Sequence, residues 1–204
     1  PNNAIIIIAG DIEFHDTKKL VEKYYGKIEN RKATQTALPN NHETSFDDII
    51  VTDKVSQPII LMSYVHGPFS ELNKKEMYAL ELLFELMDGS NSSRFTRNLI
   101  EKKKIAISTF ISYDTYSARD NLITFGGSPR IGISPERFKK EMLNEFEDFV
   151  SSGLNDGELD QVKSRLLAGN IYKFDSVFYQ VMQVGMLETK NYNWELLDSY
   201  IMDI

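Results

Sequence analysis

The hydrophobic and polar positions of the chain follow two different periods, which predict strands and helices. Residues 4–10 form a continuous run, Ala-Ile-Ile-Ile-Ile-Ala-Gly, which is typical of a strand covered on both faces. Over residues 16–25 the apolar side chains recur at i, i+3 and i+4, which predicts a helix that ends near Gly26. A strand and a helix of this size cannot bury a core alone, so we expect them to belong to a larger fold.

A polar segment separates this first strand and helix from the rest of the chain. Residues 30–45 are rich in Asn, Thr and Gln, contain Pro39 and show almost no periodicity, which predicts a linker. We therefore predict two regions, residues 1–42 and residues 43–204.

The region after the linker shows the patterns of four strands and several helices. Strands are predicted at residues 49–53, 58–66, 105–113 and 121–127, and the last two should pair as an antiparallel hairpin. Helices are predicted at residues 73–87, 93–100 and 135–152, over a long stretch from 158 to about 188 with a bend near Gly169 or Gly185, and at 193–202. This order predicts an α+β fold, an antiparallel sheet covered by helices.

Two helix starts carry specific capping signals. The triplet Ser-Pro-Glu at residues 134–136 combines an N-cap, a proline at the first helical position and an early acid. Asn155 and Glu158 have the spacing of a capping box, and Leu154 and Leu159 have that of a hydrophobic staple. We therefore expect one helix to end near residue 153 and another to begin directly after it.

The composition excludes several classes of function. With 23 basic and 30 acidic side chains the formal net charge is -7, which argues against a nucleic-acid partner. The sequence contains no cysteine, so disulfides, thiolate zinc sites and a cysteine nucleophile are excluded. No apolar run approaches the roughly 20 residues that a membrane-spanning helix needs.

The three histidines give no metal signature. His15, His42 and His66 are far apart in sequence, and none belongs to a His-x-x-Glu-His or His-Glu-x-x-His pattern. An isolated histidine is more often a surface or hydrogen-bonded residue than a ligand. We therefore assign no metal ligand in this chain.

Several stretches, in the right order, resemble the M16 (insulinase- or pitrilysin-like) zinc metallopeptidases. Residues 1–11 and the later Tyr-Tyr-Gly-Lys-Ile at 24–28 are similar to the passage that closes the first of two homologous domains in that family. Four further stretches are similar to motifs of the second domain: Gln-Pro at 57–58, Ser-Ser-Arg-Phe at 92–95, Leu-Ile-Glu-Lys at 99–102 and Gly-Leu-Asn-Asp-Gly-Glu-Leu at 153–159. The ordered set covers nearly the whole chain.

The resemblance implies an architecture and a set of partners. Residues 1–42 would be the closing strand and helix of a preceding M16-like domain plus a linker, and residues 43–204 a C-terminal-type domain that is incomplete at its C-terminus. In this family two such domains make one unit, and two units, identical or different, enclose a chamber that takes in unfolded peptides. The zinc ligands come from a His-x-x-Glu-His motif in the first domain, so zinc is expected upstream in the parent protein and no cofactor is expected in this chain.

The resemblance also identifies two positions that bear on catalysis. The second domain of the family can supply an Arg and a Tyr, seven residues apart, that orient the substrate carbonyl and stabilise the developing oxyanion. The matching positions here hold Ile100 and Ile107, whose side chains cannot donate a hydrogen bond. We therefore expect no catalytic residue in this chain, and its substrate-binding residues stay unassigned.

Two functions follow from the resemblance and remain open. The chain is either the non-zinc C-terminal region of an M16-like metalloendopeptidase, forming part of the chamber and of the contacts between units, or a non-catalytic structural subunit. The parent's cellular location is left open between the bacterial periplasm and the cytoplasm.

Overall fold

The computed structural model describes residues 4–29, 48–69 and 74–204. The chain divides into two compact units, Pro1–Lys54 and Val55–Ile204, which are described separately below. The predicted boundary after residue 42 and most of the predicted linker lie outside the described residues. The division into residues 1–42 and 43–204 therefore stays a prediction.

Within its described residues, the first compact unit contains one helix, α1, over Phe14–Tyr25. The helix predicted at residues 16–25 is confirmed and begins two residues earlier. It ends where the Gly26 N–H donates to the Glu22 carbonyl at 3.0 Å. None of its residues is buried.

Two predicted strands in this unit do not form. Residues 4–9 and 48–53 lie in neither a helix nor a strand, and Ile49 and Ile50 are almost fully exposed. The predictions rested on β-branched composition, which favours a strand only where a neighbouring strand completes the hydrogen bonds and covers the side chains. These apolar runs therefore cannot be assigned to a sheet from composition alone.

The second compact unit is built on a three-stranded antiparallel sheet. The strands are β1 (Ile60–His66), β2 (Ala106–Ser112) and β3 (Asn121–Pro129), and their order in the sheet is β1-β3-β2. The predicted hairpin of β2 and β3 is confirmed. Phe125 lies at the centre of the sheet, opposite Met62 of β1 and Ile111 of β2.

Two consecutive glycines in β3 allow its neighbours to approach closely. A Cβ atom at Gly126 would overlap the carbonyl oxygen of Ile60, and one at Gly127 would overlap that of Ser108. Both glycines lie inside the strand, which continues to Pro129, beyond the end predicted at residue 127. Glycine in a strand interior marks such a close approach of backbone.

The described part of the second unit also contains helices, joined by turns and loops. Their bounds are Lys74–Asp88 (α2), Thr96–Lys102 (a π-helix), Pro135–Ser152 (α3), Glu158–Phe174 (α4), Val177–Thr189 (α5) and Leu196–Asp203 (α6). The long helix predicted from residue 158 to 188 is wrong in one respect, because it is interrupted between α4 and α5 and not bent at Gly169 or Gly185. Ser176 caps α5 by accepting a hydrogen bond from the Tyr179 N–H at 3.3 Å, so a serine cap sets the break.

The core lies between one face of the sheet and three of the helices. The buried side chains come from the sheet, from α2, from the π-helix and its approach, and from α3: Met62, Phe125, Met87, Phe95, Leu99, Phe138 and Met142. Phe146 of α3 packs edge-on against Phe95 and Phe125. None of the helices within residues 4–29, 48–69 and 74–204 has both the length and the hydropathy to cross a membrane.

Candidate functional site

Ile100 and Ile107, the positions singled out in the sequence, lie on neighbouring elements of the second unit. Ile100 is on the π-helix and packs against the core. Ile107 lies in β2 at a register shift between Ala106 and Ser108, and 42% of it is exposed. Their correspondence to the family's Arg and Tyr stays a prediction.

A buried glutamate holds the π-helix against α3. Glu145 of α3 is buried, and it accepts hydrogen bonds from Asn98 Nδ2 at 2.6 Å and from Lys103 Nζ at 2.8 Å. Lys103 also donates to Glu141 at 2.9 Å. Burial lowers the pKa of Lys103, but the hydrogen bonds to Glu145 and Glu141 outweigh burial and raise it. These contacts fix the segment that carries Ile100.

Arg94 and Glu158 form a buried, two-point ion pair. Arg94 Nε lies 3.0 Å from Glu158 Oε1 and Nη2 lies 2.6 Å from Oε2, while Nη2 also donates to the Gly153 carbonyl at 2.8 Å. The guanidinium lies over the Phe149 ring at 5.1 Å. Hydrogen bonding by Arg94 lowers the pKa of Glu158 to about 2. The ion pair joins residues 92–95 and 153–159, two stretches that carried the resemblance.

The predicted capping box at Asn155 and Glu158 is present only in part. The Asn155 N–H donates to Glu158 Oε2 at 3.0 Å, as expected of the second half of a capping box. The residue preceding α4 is Gly157 rather than Asn155, however, and it has a left-handed φ of 73°. Because Glu158 is bonded to Arg94, its carboxylate serves the ion pair as well as the turn.

The side of the sheet opposite the core is exposed. This open face carries Leu61, Val65 and Leu122, of which Val65 and Leu122 are directly opposite each other on β1 and β3. Leu61 is 61% exposed and Leu122 is 48% exposed. Between the apolar side chains, Ser63 and Thr124 share a hydrogen bond at 3.0 Å. The open face is therefore an apolar surface with a small polar centre.

Three carboxyl groups follow one side of α2. Glu81, Glu85 and Asp88 are spaced by four and three residues, which places them on one helix face. Burial raises the pKa of each of them, that of Asp88 to about 6. Asp88 accepts a hydrogen bond from Thr109 of β2 at 2.5 Å.

The two histidines that the structure describes are not arranged as metal ligands. His66 is buried at the end of β1, with Nδ1 2.8 Å from the Gly67 carbonyl oxygen and with Nε2 unpartnered. His15 lies on α1, and His42 is outside the described residues. Within the part of the chain that the structure describes, no three His, Asp or Glu side chains are placed to hold a metal ion.

Comparison with known families decides the assignment. The family described as the Peptidase M16 inactive domain matches residues 1–166. The chain belongs to this family. The M16 resemblance read from the ordered motifs is thus confirmed, and the chain is an M16 inactive domain of the kind found in zinc-protease-like proteins.

Two curated relatives match this M16 inactive domain over most of its length. The zinc protease PqqE of Helicobacter pylori is 24% identical over 182 residues, which cover 86% of this chain and 40% of the relative. The uncharacterized zinc protease YmxG of Bacillus subtilis is 24% identical over 206 residues, covering 100% of this chain and 48% of the relative. The chain spans less than half the length of either relative.

Solved structures share the fold of this M16 inactive domain. A protease from Helicobacter pylori gives a TM-score of 0.81 at 20% identity over 95% of this chain and 46% of its own. The first half of the periplasmic protease PqqL from Escherichia coli gives 0.70 at 15% identity over 95% of this chain and 43% of its own. The inactive peptidase domain of a putative zinc protease from Bordetella parapertussis gives 0.60 at 15% identity over 75% and 81%. The predicted α+β class is confirmed.

Sequence reasoning missed two features of this M16 inactive domain. The spacing of Glu81, Glu85 and Asp88 was visible in the sequence, but their burial depends on α4, α6, β2 and the β2–β3 connection. The partnership of Arg94 with Glu158 was not visible, because the two residues are far apart in the chain. Nothing in the sequence around Arg94 indicates which acidic residue it pairs with.

Proposed function

We propose that this M16 inactive domain is a non-catalytic wall of a chamber that encloses unfolded peptides in a zinc protease. It would act together with a zinc-bearing domain upstream in the same protein and with a second M16 unit, as a homodimer or heterodimer. The names of the two curated relatives support a zinc protease as the parent. Their length, more than twice that of the matched region in each case, leaves room for the zinc-bearing domain.

The open face of the sheet carries the proposal. The solvent-facing side of an antiparallel sheet normally carries polar side chains, whereas here Leu61, Val65 and Leu122 are exposed on that side. Exposed apolar patches of this kind mark surfaces that contact other proteins or peptides. An unfolded peptide offers apolar side chains at irregular spacing, and a broad apolar face can accept them without sequence selection.

The residues that the structure describes do not form a site for the zinc ion of such a protease. His66 Nδ1 donates a hydrogen bond to the adjacent Gly67 carbonyl oxygen, and within the described residues no group of three His, Asp or Glu side chains could hold a metal ion. Ile100 and Ile107 offer no hydrogen-bond donor to a developing oxyanion. We propose that a domain upstream in the parent protein binds the zinc, and we assign this chain no step in the hydrolysis.

Site-specific photo-crosslinking in the full-length parent protein tests the open face. The crosslinking amino acid p-benzoylphenylalanine replaces Leu61 or Leu122, and the matched control replaces Val150, an exposed residue on α3. With unfolded casein peptides, crosslinks are expected from positions 61 and 122 and not from position 150. Equal crosslinking from all three positions would contradict a peptide-facing role for the sheet.

The second candidate is a structural subunit that never contributes to cleavage. The two isoleucines favour it, because the resemblance puts them at positions where other second domains can supply a catalytic Arg and Tyr. Zinc content and casein cleavage of the full-length protein, alone and mixed with any paralogue encoded beside it, separate the two functions. Zinc with cleavage in either sample supports the protease, and no zinc with no cleavage in both samples supports the structural subunit.

A further inference from the structure

Three hydroxyl side chains form a row across the open face of the sheet. The strand register places Ser63 of β1 opposite Thr124 of β3, and Thr124 opposite Ser112 of β2. The residues next to them along the strands pack in or against the core on the other face: Met62, Phe125 and Ile111. Because side chains alternate between the faces of a sheet, the hydroxyl row of Ser63, Thr124 and Ser112 lies on the open face.

Apolar rows lie on both sides of the hydroxyl row. Leu61 is opposite Gly126, and Gly126 is opposite Phe110, two residues from the hydroxyl row in one direction. Val65 and Leu122 are opposite each other, two residues away in the other direction. Two residues along a strand span about 7 Å, so each apolar row is about that far from the hydroxyls.

The open face carries no charge. Its positions in the three strands are all neutral: Leu61, Ser63, Val65, Ser108, Phe110, Ser112, Leu122, Thr124, Gly126 and Ser128. Charged residues make up 26% of the chain, and its net charge is -7. The complementary partner of this face is therefore uncharged where it makes contact, which fits peptide groups and apolar side chains better than phosphates or ionic surfaces.

The hydroxyl row has hydrogen-bonding capacity left for a partner. Ser63 and Thr124 share one hydrogen bond at 3.0 Å, which uses one of their two protons. Ser112 is exposed, and its side chain makes no hydrogen bond to another described residue. The row therefore offers two O–H donors and several acceptor lone pairs to a partner above the sheet.

An extended backbone that lies along the hydroxyl row matches this arrangement. Its side chains alternate to the two sides, toward the two apolar rows. The N–H and C=O groups of every second residue point toward the sheet, about 7 Å apart. The hydroxyl row crosses three strands spaced about 4.8 Å apart, so it is long enough to meet two such residues.

We propose that the hydroxyl row binds the backbone amide groups of an extended peptide that crosses the open face. Every peptide carries the same amide groups, so this recognition does not depend on sequence, and the apolar rows add contacts on both sides. The inference rests on the proposed function, because it takes the open face to be the surface that contacts peptides. It assigns the role of positioning residues to Ser63, Thr124 and Ser112.

Crosslinking from position 61 of the full-length parent protein measures binding at this face. The crosslinking amino acid p-benzoylphenylalanine replaces Leu61, and the probe concentration at half-maximal crosslinking gives the apparent affinity. A metal chelator prevents zinc-dependent cleavage of the probe. The probes are a blocked, fluorescent Lys-Ala-Val-Ala-Leu-Ala-Val-Ala-Lys peptide and an analogue whose central amide bonds are replaced by esters.

The ester analogue keeps the side chains and the extended shape but lacks the N–H donors. We expect it to bind about 10-fold more weakly than the amide peptide, because each lost hydrogen bond contributes a factor of roughly 2 to 12. Probes of equal affinity would overturn the inference and leave the chamber-wall proposal intact. No crosslinking from position 61 would overturn both. Crosslinks from position 61 to a second copy of the parent, in place of the peptide, would also overturn the inference.

Variants at position 112 test the hydroxyl itself. Ser112→Ala removes a side chain hydroxyl that the fold does not use, and it should weaken the amide peptide several-fold. Ser112→Thr keeps the hydroxyl and should keep the affinity. Ser164→Ala, on the exposed surface of α4, is the matched control and should change nothing. Equal affinity of the Ser112→Ala and Ser164→Ala proteins would overturn the role of the hydroxyl row.

Discussion

At the scale of single residues, the carboxyl group of Asp88 ties stability to pH. Burial raises the pKa of Asp88 from 3.8 to about 6, so the folded state binds its proton more tightly than the unfolded state. The stabilisation from this proton is complete below pH 4 and is lost as the pH rises from about 4 to about 6. After discounting for partial exposure, the loss is about 1–2 kcal/mol.

Asp88→Asn removes this titration while keeping an oxygen that accepts from Thr109. We expect the variant to be more stable than the natural chain by about 1 kcal/mol at pH 7 and to gain less stability between pH 6 and pH 4. Urea unfolding at unit pH intervals measures both. Identical pH dependence of the two proteins would show that Asp88 is not the titrating group.

The Arg94–Glu158 ion pair responds to pH with the opposite sign. The pKa of Glu158 is lowered to about 2 from 4.5, mainly by the hydrogen bond from Arg94. Its stabilisation is therefore present above pH 4.5 and is lost as the pH falls toward 2. Lowering the pH should therefore weaken the ion pair between residues 92–95 and 153–159. It should also protonate Asp88 and so remove a buried negative charge that destabilises the fold.

Removing one partner of this pair leaves the other charge buried. We expect Arg94→Met to destabilise the fold by about 3–5 kcal/mol, and the double variant Arg94→Met with Glu158→Met to cost less than the sum of the two single variants. A cycle of urea unfolding measurements gives the coupling. Arg137→Met, on the exposed surface of α3, is the control, and additive costs at positions 94 and 158 would argue against a direct interaction.

At the scale of secondary structure elements, β3 and α4 offer a matched comparison of glycines. We expect Gly126→Ala to destabilise the fold by more than about 2 kcal/mol, because its methyl group would overlap the Ile60 carbonyl. Gly169→Ala lies in α4 with open space around the added methyl group, and it should stabilise by about 0.5–1 kcal/mol. Thermal unfolding compares them, and similar shifts in melting temperature would contradict the close approach of β1 and β3.

The elements themselves differ in how well the sequence predicts them. Helix α3 could be located because all its signals are local: the Ser134 side chain accepts from the Arg137 N–H at 3.2 Å, and the proline follows at once. Residues 4–10 could not be placed, because a strand depends on a partner that local composition does not reveal. Serine is a favoured N-cap, so a new helix beginning after Ser176 was a possible prediction. The apolar pattern continues across Ser176, however, and for that reason one long helix was predicted instead.

At the scale of the whole molecule, the family could be read from the order of short motifs, and the surfaces could not. The positions of Ile100 and Ile107 needed only the sequence. The open face needed the sheet order and the register of three strands, neither of which leaves a local signal. The proposed chamber wall is therefore a consequence of tertiary structure.

The sheet order β1-β3-β2 has a consequence for synthesis on the ribosome. Strand β1 is synthesised well before β3, its only partner among the described strands. It therefore has no strand to pair with while α2, the π-helix and β2 emerge. The hairpin of β2 and β3 can form locally, and β1 joins it through a long loop closure, which slows folding. During that time Leu61 and Val65 lie on an unpaired strand that is accessible to other nascent chains, so we expect chaperone binding at this strand before β3 has left the ribosome.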